Sequence, residues 1–420
     1  MKAFRVAAIL VLAAACGQVH GSPTSSVVSP TPTPVASPTV VASPVPSPSS
    51  AASPHPTPKA SSSMLFAVLE ARGTTNAWTY NTVAIAGLDG YARAKTTFTP
   101  MPVPALGCMG AIIPPSAHVA AGKVFFADAK GVIRSLAIDG KVSTVATFPM
   151  TSTQQMLSFA VSPDGATVLG TLFTTPKNAY GCDGPITSTT FTFDAYTATA
   201  GQPARLVYHE SWAKAPASVM ALTGWDALGP FGTYPTVWAS QGGGPGSTLG
   251  VYVRIDASTV KPGALFSDPS KCQVWDSVSS GAFVCIKDAV ISGGGTPDQQ
   301  VVQQVSVRGA DGTELWPFTF KATNGAYGSL LAPDGQRVTM CCADVSAGFA
   351  YLLVGRTGGQ VTIAQGFYGE GWLDSTTMVG EVNTSPTAQP PFKLAYVSTT
   401  SPGLAVSLGF TGKYVGTVRI

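Results

Sequence analysis

At 420 residues the chain can build one large core, and its 24 Lys and Arg against 21 Asp and Glu, a net charge of +3, exclude electrostatic capture of nucleic acid as its organising role. Charged residues make up only 11%, and 45 Gly with 34 Pro exclude long amphipathic helices. Short strands, frequent turns and a surface of Ser, Thr, Gly, Asn and Gln are what remain.

The chain opens MKAFRVAAILVLAAACG, with Lys2 and Arg5 ahead of an apolar run from Val6 to Ala15 that ends on small side chains. The run is too short to cross a bilayer and has the layout of an export signal. Leu12 followed by Ala13-Ala14-Ala15-Cys16-Gly17 resembles the bacterial lipobox, with Ala13 where that pattern more often carries Leu. The resemblance implies cleavage before Cys16 and a diacylglyceryl thioether on its sulfur. The alternative is an ordinary secretory signal cleaved after Ala15 or a little downstream. Residues 1–16 are thus expected to be a lipoprotein signal peptide with its lipidated Cys16, and the mature protein to sit on the outer side of the cell membrane. Two acyl chains hold a protein stably where one is marginal.

Within residues 17–63, the stretch from Gly21 to Ser63 is Pro, Ser, Thr, Ala and Val with almost no charge and no apolar period. Such a stretch cannot bury enough surface to offset chain entropy. A disordered Pro/Ser/Thr-rich linker is expected, biased to polyproline II, with a reach on the order of 130 Å. Ser-Pro and Thr-Pro pairs also resemble O-glycosylated wall-spanning linkers, though a plain spacer needs nothing further.

From Met64 to Ile420 short apolar or alternating runs are separated by turn signals, in units of about 50 residues readable as up to four strands. The first is LFAVLEA, NTVAIAGLDG, ARAKTTFTP, which lacks an opening strand. SAHVAAG to KVSTVATFP makes the second and MLSFAVSPDG to ARLVYHE the third. The fourth runs from SVMALTGWDAL through PTVWAS and LGVYVRIDAST to GALFS, with a QGGGPGS loop inserted. CQVWDSVSSG to TELWPFTFK makes the fifth and GSLLAPDGQ to QVTIAQGF the sixth. The seventh is GWLDS, TTMVGEVN, FKLAYVSTT and GLAVSLGF, after which GKYVGTVRI, Gly412 to Ile420, is left over. A missing first strand and a spare last one share one explanation. The tail supplies the innermost strand of the first unit and closes a ring with no bare sheet edge.

Two units carry the hairpins FAVSPDGATVLGT and LLAPDGQRVTM, in which Pro, Asp and Gly suit successive positions of a tight turn. These are similar to the SPDG-type repeats of TolB-like and WD40-like bacterial propellers, and VSVRGADGTELW looks like one quinoprotein-type repeat. The resemblance implies an all-β fold, a seven-bladed β-propeller over residues 64–420.

Of seven cysteines, six remain once Cys16 is set aside, an even number that permits disulfides in an exported chain. Cys272 and Cys285 flank a hairpin whose bridge would contribute roughly 3 kcal/mol. Cys108 and Cys182 sit in glycine-bounded loops. Cys341 and Cys342 are vicinal in a strand, where side chains point to opposite faces, so a bond between them would be strained, and simple buried thiols are the alternative.

The chemical inventory is thin. His20 and His55 fall near the linker, His118 and His209 stand apart, and no HxH, HExxH, paired CxxC or GxSxG occurs. The glycine runs Gly242 to Gly244 and Gly293 to Gly295 read as loops. One constellation stands out: Trp225-Asp226, Trp275-Asp276 and Trp372 with Asp374, each in the expected first strand of its unit. Aromatic faces beside carboxylates at a channel mouth could hold a sugar or peptide. Alternatively each Trp packs between blades while each Asp opens a turn. The resulting expectation is a monomeric, non-enzymatic binding or scaffolding module with no cofactor and no metal. It meets the membrane only through its lipid and takes an envelope protein or glycan as ligand. The rival expectation is a hydrolase or lyase with a metal or carboxylate site in the central channel.

Overall fold

The computed structural model describes residues 64–74, 77–102, 104–105, 117–181, 184–185, 190–214, 216, 219–233, 252–260, 262–265, 273–277, 280–292, 300–322, 328–345, 348–357, 359–383 and 392–420. They form antiparallel sheets that make seven four-stranded blades. Blade two is Ala117–Ala120, Lys123–Ala127, Val132–Leu136 and Val142–Thr147. Blade three is Gln155–Val161, Thr167–Thr174, Phe191–Thr199 and Arg205–Trp212, with a ribbon at Tyr180–Gly181 and Gly184–Pro185. Blade four is Ala221–Asp226, Gly229–Thr233, Tyr252–Ile255 and Pro262–Leu265, and blade five Gln273–Ser277, Phe283–Ser292, Gln300–Arg308 and Glu314–Ala322. Blade six is Gly328–Leu331, Arg337–Val345, Gly348–Gly355 and Gln360–Thr362.

The tail does the closing. One strand, Val406–Val418, pairs first with Lys393–Ser398, completing blade seven (Phe367–Trp372, Thr377–Val382, Lys393–Ser398). It then pairs with Leu65–Thr74, in the register Leu65 to Val418 through Glu70 to Gly412, and becomes the first strand of blade one ahead of Ala77–Gly87 and Ala92–Thr97. The left-over segment is therefore the second half of a strand shared by two blades, not a separate piece. Two further boundaries move. The first strand of blade seven starts at Phe367, ahead of GWLDS, and the second strand of blade four is Gly229–Thr233. There Asp226 accepts the Leu228 amide at 2.8 Å and Gly229 adopts φ +122, so the chain reverses at once. The PTVWAS segment expected for that strand lies outside the described residues.

First strands touch first strands at six of the seven blade junctions, so they line the middle of the ring, and apolar side chains fill the gaps between sheets. Phe66 and Val68 of blade one meet Leu373 and Val379 of blade seven, while Leu65, Ala67 and Leu69 on the opposite face meet Val124 and Phe126 of blade two. Alternation along one strand thus serves two neighbours. Phe148, fully buried, crosses from blade two onto Gly170 of blade three, where an added Cβ would lie 2.5 Å from the ring. Burying each such aromatic contributes about 1.5–3 kcal/mol.

Antiparallel order sorts the connections onto two mouths. On one, the turn mouth, first strands lead into second and third into fourth. Five of these turns are Asp-Gly pairs at Asp89, Asp139, Asp164, Asp311 and Asp334, and in each the carboxylate accepts the amide two residues on. The Pro-Asp-Gly pair belongs to this set, with Gly165 at φ +73 and Gly335 at φ +68. On the other, the loop mouth, the connections are long: 234–251 in blade four, 293–299 in blade five and 383–392 in blade seven join second strands to third. Leu65 pairs with Val418, so the folded chain both enters and leaves at the turn mouth.

Candidate functional site

Of the expected Trp and Asp residues, Trp225, Asp226, Asp276, Trp372 and Asp374 are held in the fold. Asp226, almost fully buried, receives Arg254 through both oxygens at 2.6 and 3.1 Å, and Arg254 also donates to the Gly229 carbonyl at 2.9 Å. Trp225 packs against the cluster between blades three and four. Asp276 accepts the Leu331 amide of the next blade at 2.5 Å. Trp372 donates its indole N–H to the Leu330 carbonyl at 3.2 Å, and Asp374 accepts the amides of Thr376 and Thr377 at 2.6 and 2.7 Å. The Trp275 side chain lies outside the described residues, as do Cys16, Cys108, Cys182 and Cys272. Cys285 and Cys341 are each disulfide-bonded.

These contacts follow a rule that the sequence does not spell out. A first strand has no partner on its channel side, so its amides there need acceptors. Ser158 of blade three accepts the Leu222 amide of blade four at 2.9 Å, Asp276 of blade five serves Leu331 of blade six, and Glu370 of blade seven takes the Tyr414 amide of the closing strand at 2.6 Å. Each acceptor reaches forward to the next blade. Tyr414 and Thr417 complete the seam by donating to the Trp372 and Leu373 carbonyls at 2.8 and 2.9 Å.

Glu370 is the extra residue of a β-bulge, between Gly369, which pairs with Gly380, and Gly371, which pairs with Val379. Bulges re-aim a side chain. Glu370 is half-buried as a residue, with its carboxylate end enclosed. Burial first, then the charge of Glu381, pushes its pKa up to about 8, against the pull of the Tyr414 amide and of Lys413. Burial raises Glu381 as well, again against Lys413. Tyr80 is held well above the usual phenol range by burial and then by the two glutamates, with the Lys413 ammonium 5.8 Å from its ring centre. Glu70 lies within the second strand of blade one, opposite Gly412 of the closing strand, bonded through one oxygen to Lys95 at 2.6 Å while the other is buried without a hydrogen bond.

Tyr80 and Glu381 lie toward the loop-mouth ends of their strands, while Glu70, Glu370 and Lys413 sit near mid-strand in the seam between blades seven and one. Burial and their mutual repulsion both disfavour ionising the two carboxylates together. The reading from sequence missed this cluster, because its members lie hundreds of positions apart; the one local sign is Glu370 between two glycines on a first strand, GEGW.

Both histidines of the ring are accounted for. His118 lies edge-on to Phe159 at 4.7 Å, its pKa pushed down to about 4 by burial, with Nε2 buried and unbonded. His209 pairs with Asp194 at 2.6 Å on the outer strands of blade three. Among the described residues no three His, Cys, Asp or Glu side chains converge to hold a metal ion.

No family pattern and no curated protein matches the sequence. Solved structures do. An oligogalacturonate lyase in complex with manganese is 10% identical over 77% of this chain and 82% of its own, with a TM-score of 0.45. The oligogalacturonate lyase of Vibrio parahaemolyticus is 9% identical over 80% and 91%, with a TM-score of 0.41. TolB from Acinetobacter baumannii is 13% identical over 68% and 62%, with a TM-score of 0.34. At such identities the likeness concerns the fold alone, and the chain's own pairings define that fold: a seven-bladed β-propeller.

Proposed function

We propose that this chain is a lipid-anchored propeller that binds a protein or glycan of the cell envelope at its loop mouth, with Cys16 carrying the anchor and residues 17–63 acting as the stalk. One observation carries the reading. The Leu65 to Val418 pairing puts the point where the linker joins the ring on the turn mouth. The opposite mouth, where second strands lead to third, is thereby left clear of the tether's attachment point, and connections on a rigid scaffold are where binding residues collect. Metabolic labelling with a clickable palmitate analogue tests the anchor. Wild type should be labelled and remain with membranes, whereas Cys16→Ser should lose the label and enter the soluble fraction. Retention of the label in that variant would sink the proposal.

The enzymatic alternative, a hydrolase or lyase, is favoured by Glu370, whose high pKa beside Glu381 is what a general acid at neutral pH requires. A panel of neutral and acidic oligosaccharides tests it. Turnover lost in both Glu370→Gln and Glu381→Gln, with an alkaline limb near pH 8 in the wild type, would support catalysis. No turnover, or turnover indifferent to both variants, would reject it.

A further inference from the structure

We infer that the turn mouth is a lipid-contact face, whose rim of apolar side chains settles shallowly on the bilayer surface. The inference rests on the tethered reading above and adds what a tether alone leaves open, the way the ring faces.

Placement carries it. Among the described residues, every exposed large apolar side chain lies at this mouth. Val142, Leu206, Leu315 and Val361 are the first or second residues of the fourth strands of blades two, three, five and six, and Leu404 lies in the turn leading to the fourth strand of blade seven. Tyr91 ends the matching turn of blade one, and Leu228 lies in the turn between the first two strands of blade four. Each blade thus supplies at least one. Met64 and Ile420 add two more beside the Leu65 to Val418 pairing. The opposite mouth exposes Thr79, Lys177, Lys214 and Lys393 instead. Singly exposed apolar residues are ordinary on a soluble surface. Their confinement to one mouth, in all seven blades, is not.

The layout selects the occupant. A protein partner needs a contiguous apolar core. Here the apolar side chains are spread around a circle among polar turns, an arrangement that a flat, deformable surface meets all at once. Lys141, Arg205 and Arg419 adjoin Val142, Leu206 and Ile420, and all three are exposed with no carboxylate partner among the described residues. Such cations reach lipid phosphates while their apolar neighbours enter the acyl boundary. The turn aspartates keep the contact shallow. Asp139, Asp164 and Asp311 are charged groups bonded to the amides of their own turns, and they stay at headgroup level. The linker joins this mouth at Leu65, so a bilayer holding the anchor lies within its reach, and a contact made on a tether needs little intrinsic affinity.

The test uses the chain from position 16 onward with Cys16→Ser, so that no acyl chain contributes, and vesicles of equal parts phosphatidylethanolamine and phosphatidylglycerol. The chain should float with the vesicles. An amine-acetylating reagent should label Lys123 and Lys141 more slowly on vesicles than in solution, while Lys177 and Lys393 react at unchanged rates. Tyr91→Ser, Leu404→Ser and Ile420→Ser combined, at positions 57%, 71% and 87% exposed, should lower the floated fraction about tenfold with an unchanged melting temperature. Failure to float, slowing at Lys177 and Lys393 instead, or equal flotation of the triple variant would overturn the inference. So would slowed labelling of Lys123 and Lys141 without vesicles, together with a doubled mass in sedimentation, which would make this face a contact between two copies. Palmitate labelling of the wild type reads the anchor separately, so the failure of either reading is told from the failure of the other.

Discussion

The two mouths of the ring are made from the same strands and do different work. At the turn mouth, neighbouring blades interlock through their turns. Ala121 donates to the Pro163 carbonyl at 3.1 Å, the Trp316 indole to Gly335 at 2.8 Å, and Arg337 to Ser375 at 2.6 Å. An added Cβ on Gly122 would meet the Arg419 carbonyl at 2.9 Å, at the seam itself. At the loop mouth the connections lengthen, while the seam between blades seven and one carries Glu370, Glu381, Tyr80 and Lys413, with burial raising the pKa of both glutamates.

Breaking the turn mouth should cost most. Asp226→Ala leaves Arg254 half-buried without its carboxylate, a loss of about 3–5 kcal/mol in a denaturant titration. A change under about 1 kcal/mol would mean that the pair is solvated and the interlock weaker than described. Next comes pH. The folded state keeps a proton on Glu370 that the unfolded chain releases near its ordinary value of 4.5, so stability should fall as pH rises from about 5 to about 8 and then level off. Thermal melts should drop a few degrees across that window. Glu370→Gln should remove much of the slope; an equal slope in the variant would place the proton elsewhere.

Smaller effects separate the mouths further. Gly165→Ala forces a Cβ into φ +73 beside the Phe125 ring and should cost about 1–2 kcal/mol. Doubling the 234–251 connection with Gly and Ser should cost only about 0.6 kcal/mol, read as a near-unchanged melting temperature. A large loss from that insertion would show that the loop mouth is also part of the framework.

How far the sequence could be read follows the same divide. Turn chemistry is local, so the Pro-Asp-Gly hairpins at Gly165 and Gly335 announced their geometry, and the unpaired tail announced closure. Glycine-aspartate turns at Asp89, Asp139 and Asp311 follow the same logic without the proline. The blade-four hairpin was misplaced because alternation in PTVWAS outweighed GPFGT, whose strand depends on the Asp226 and Arg254 pairing across the sheet. Trp225, Asp226, Trp275, Asp276 and Trp372 lie on first strands, whereas Asp374, expected there too, falls in the turn after Trp372; the partners, such as Leu330 for Trp372 and Leu331 for Asp276, come from neighbouring blades. The Glu370 cluster was illegible for the same reason, being assembled only when residue 414 reaches residue 370.

The orientation of the ring is tested most directly by photo-cross-linking in intact cells. A photoreactive residue is placed at exposed loop-mouth positions Thr79, Lys177 and Lys393, or at exposed turn-mouth positions Lys141, Ala166 and Gln336. Adducts to an envelope protein or glycan from the first set and none from the second are the expected result. Adducts from the turn mouth alone, or equally from both, would contradict it.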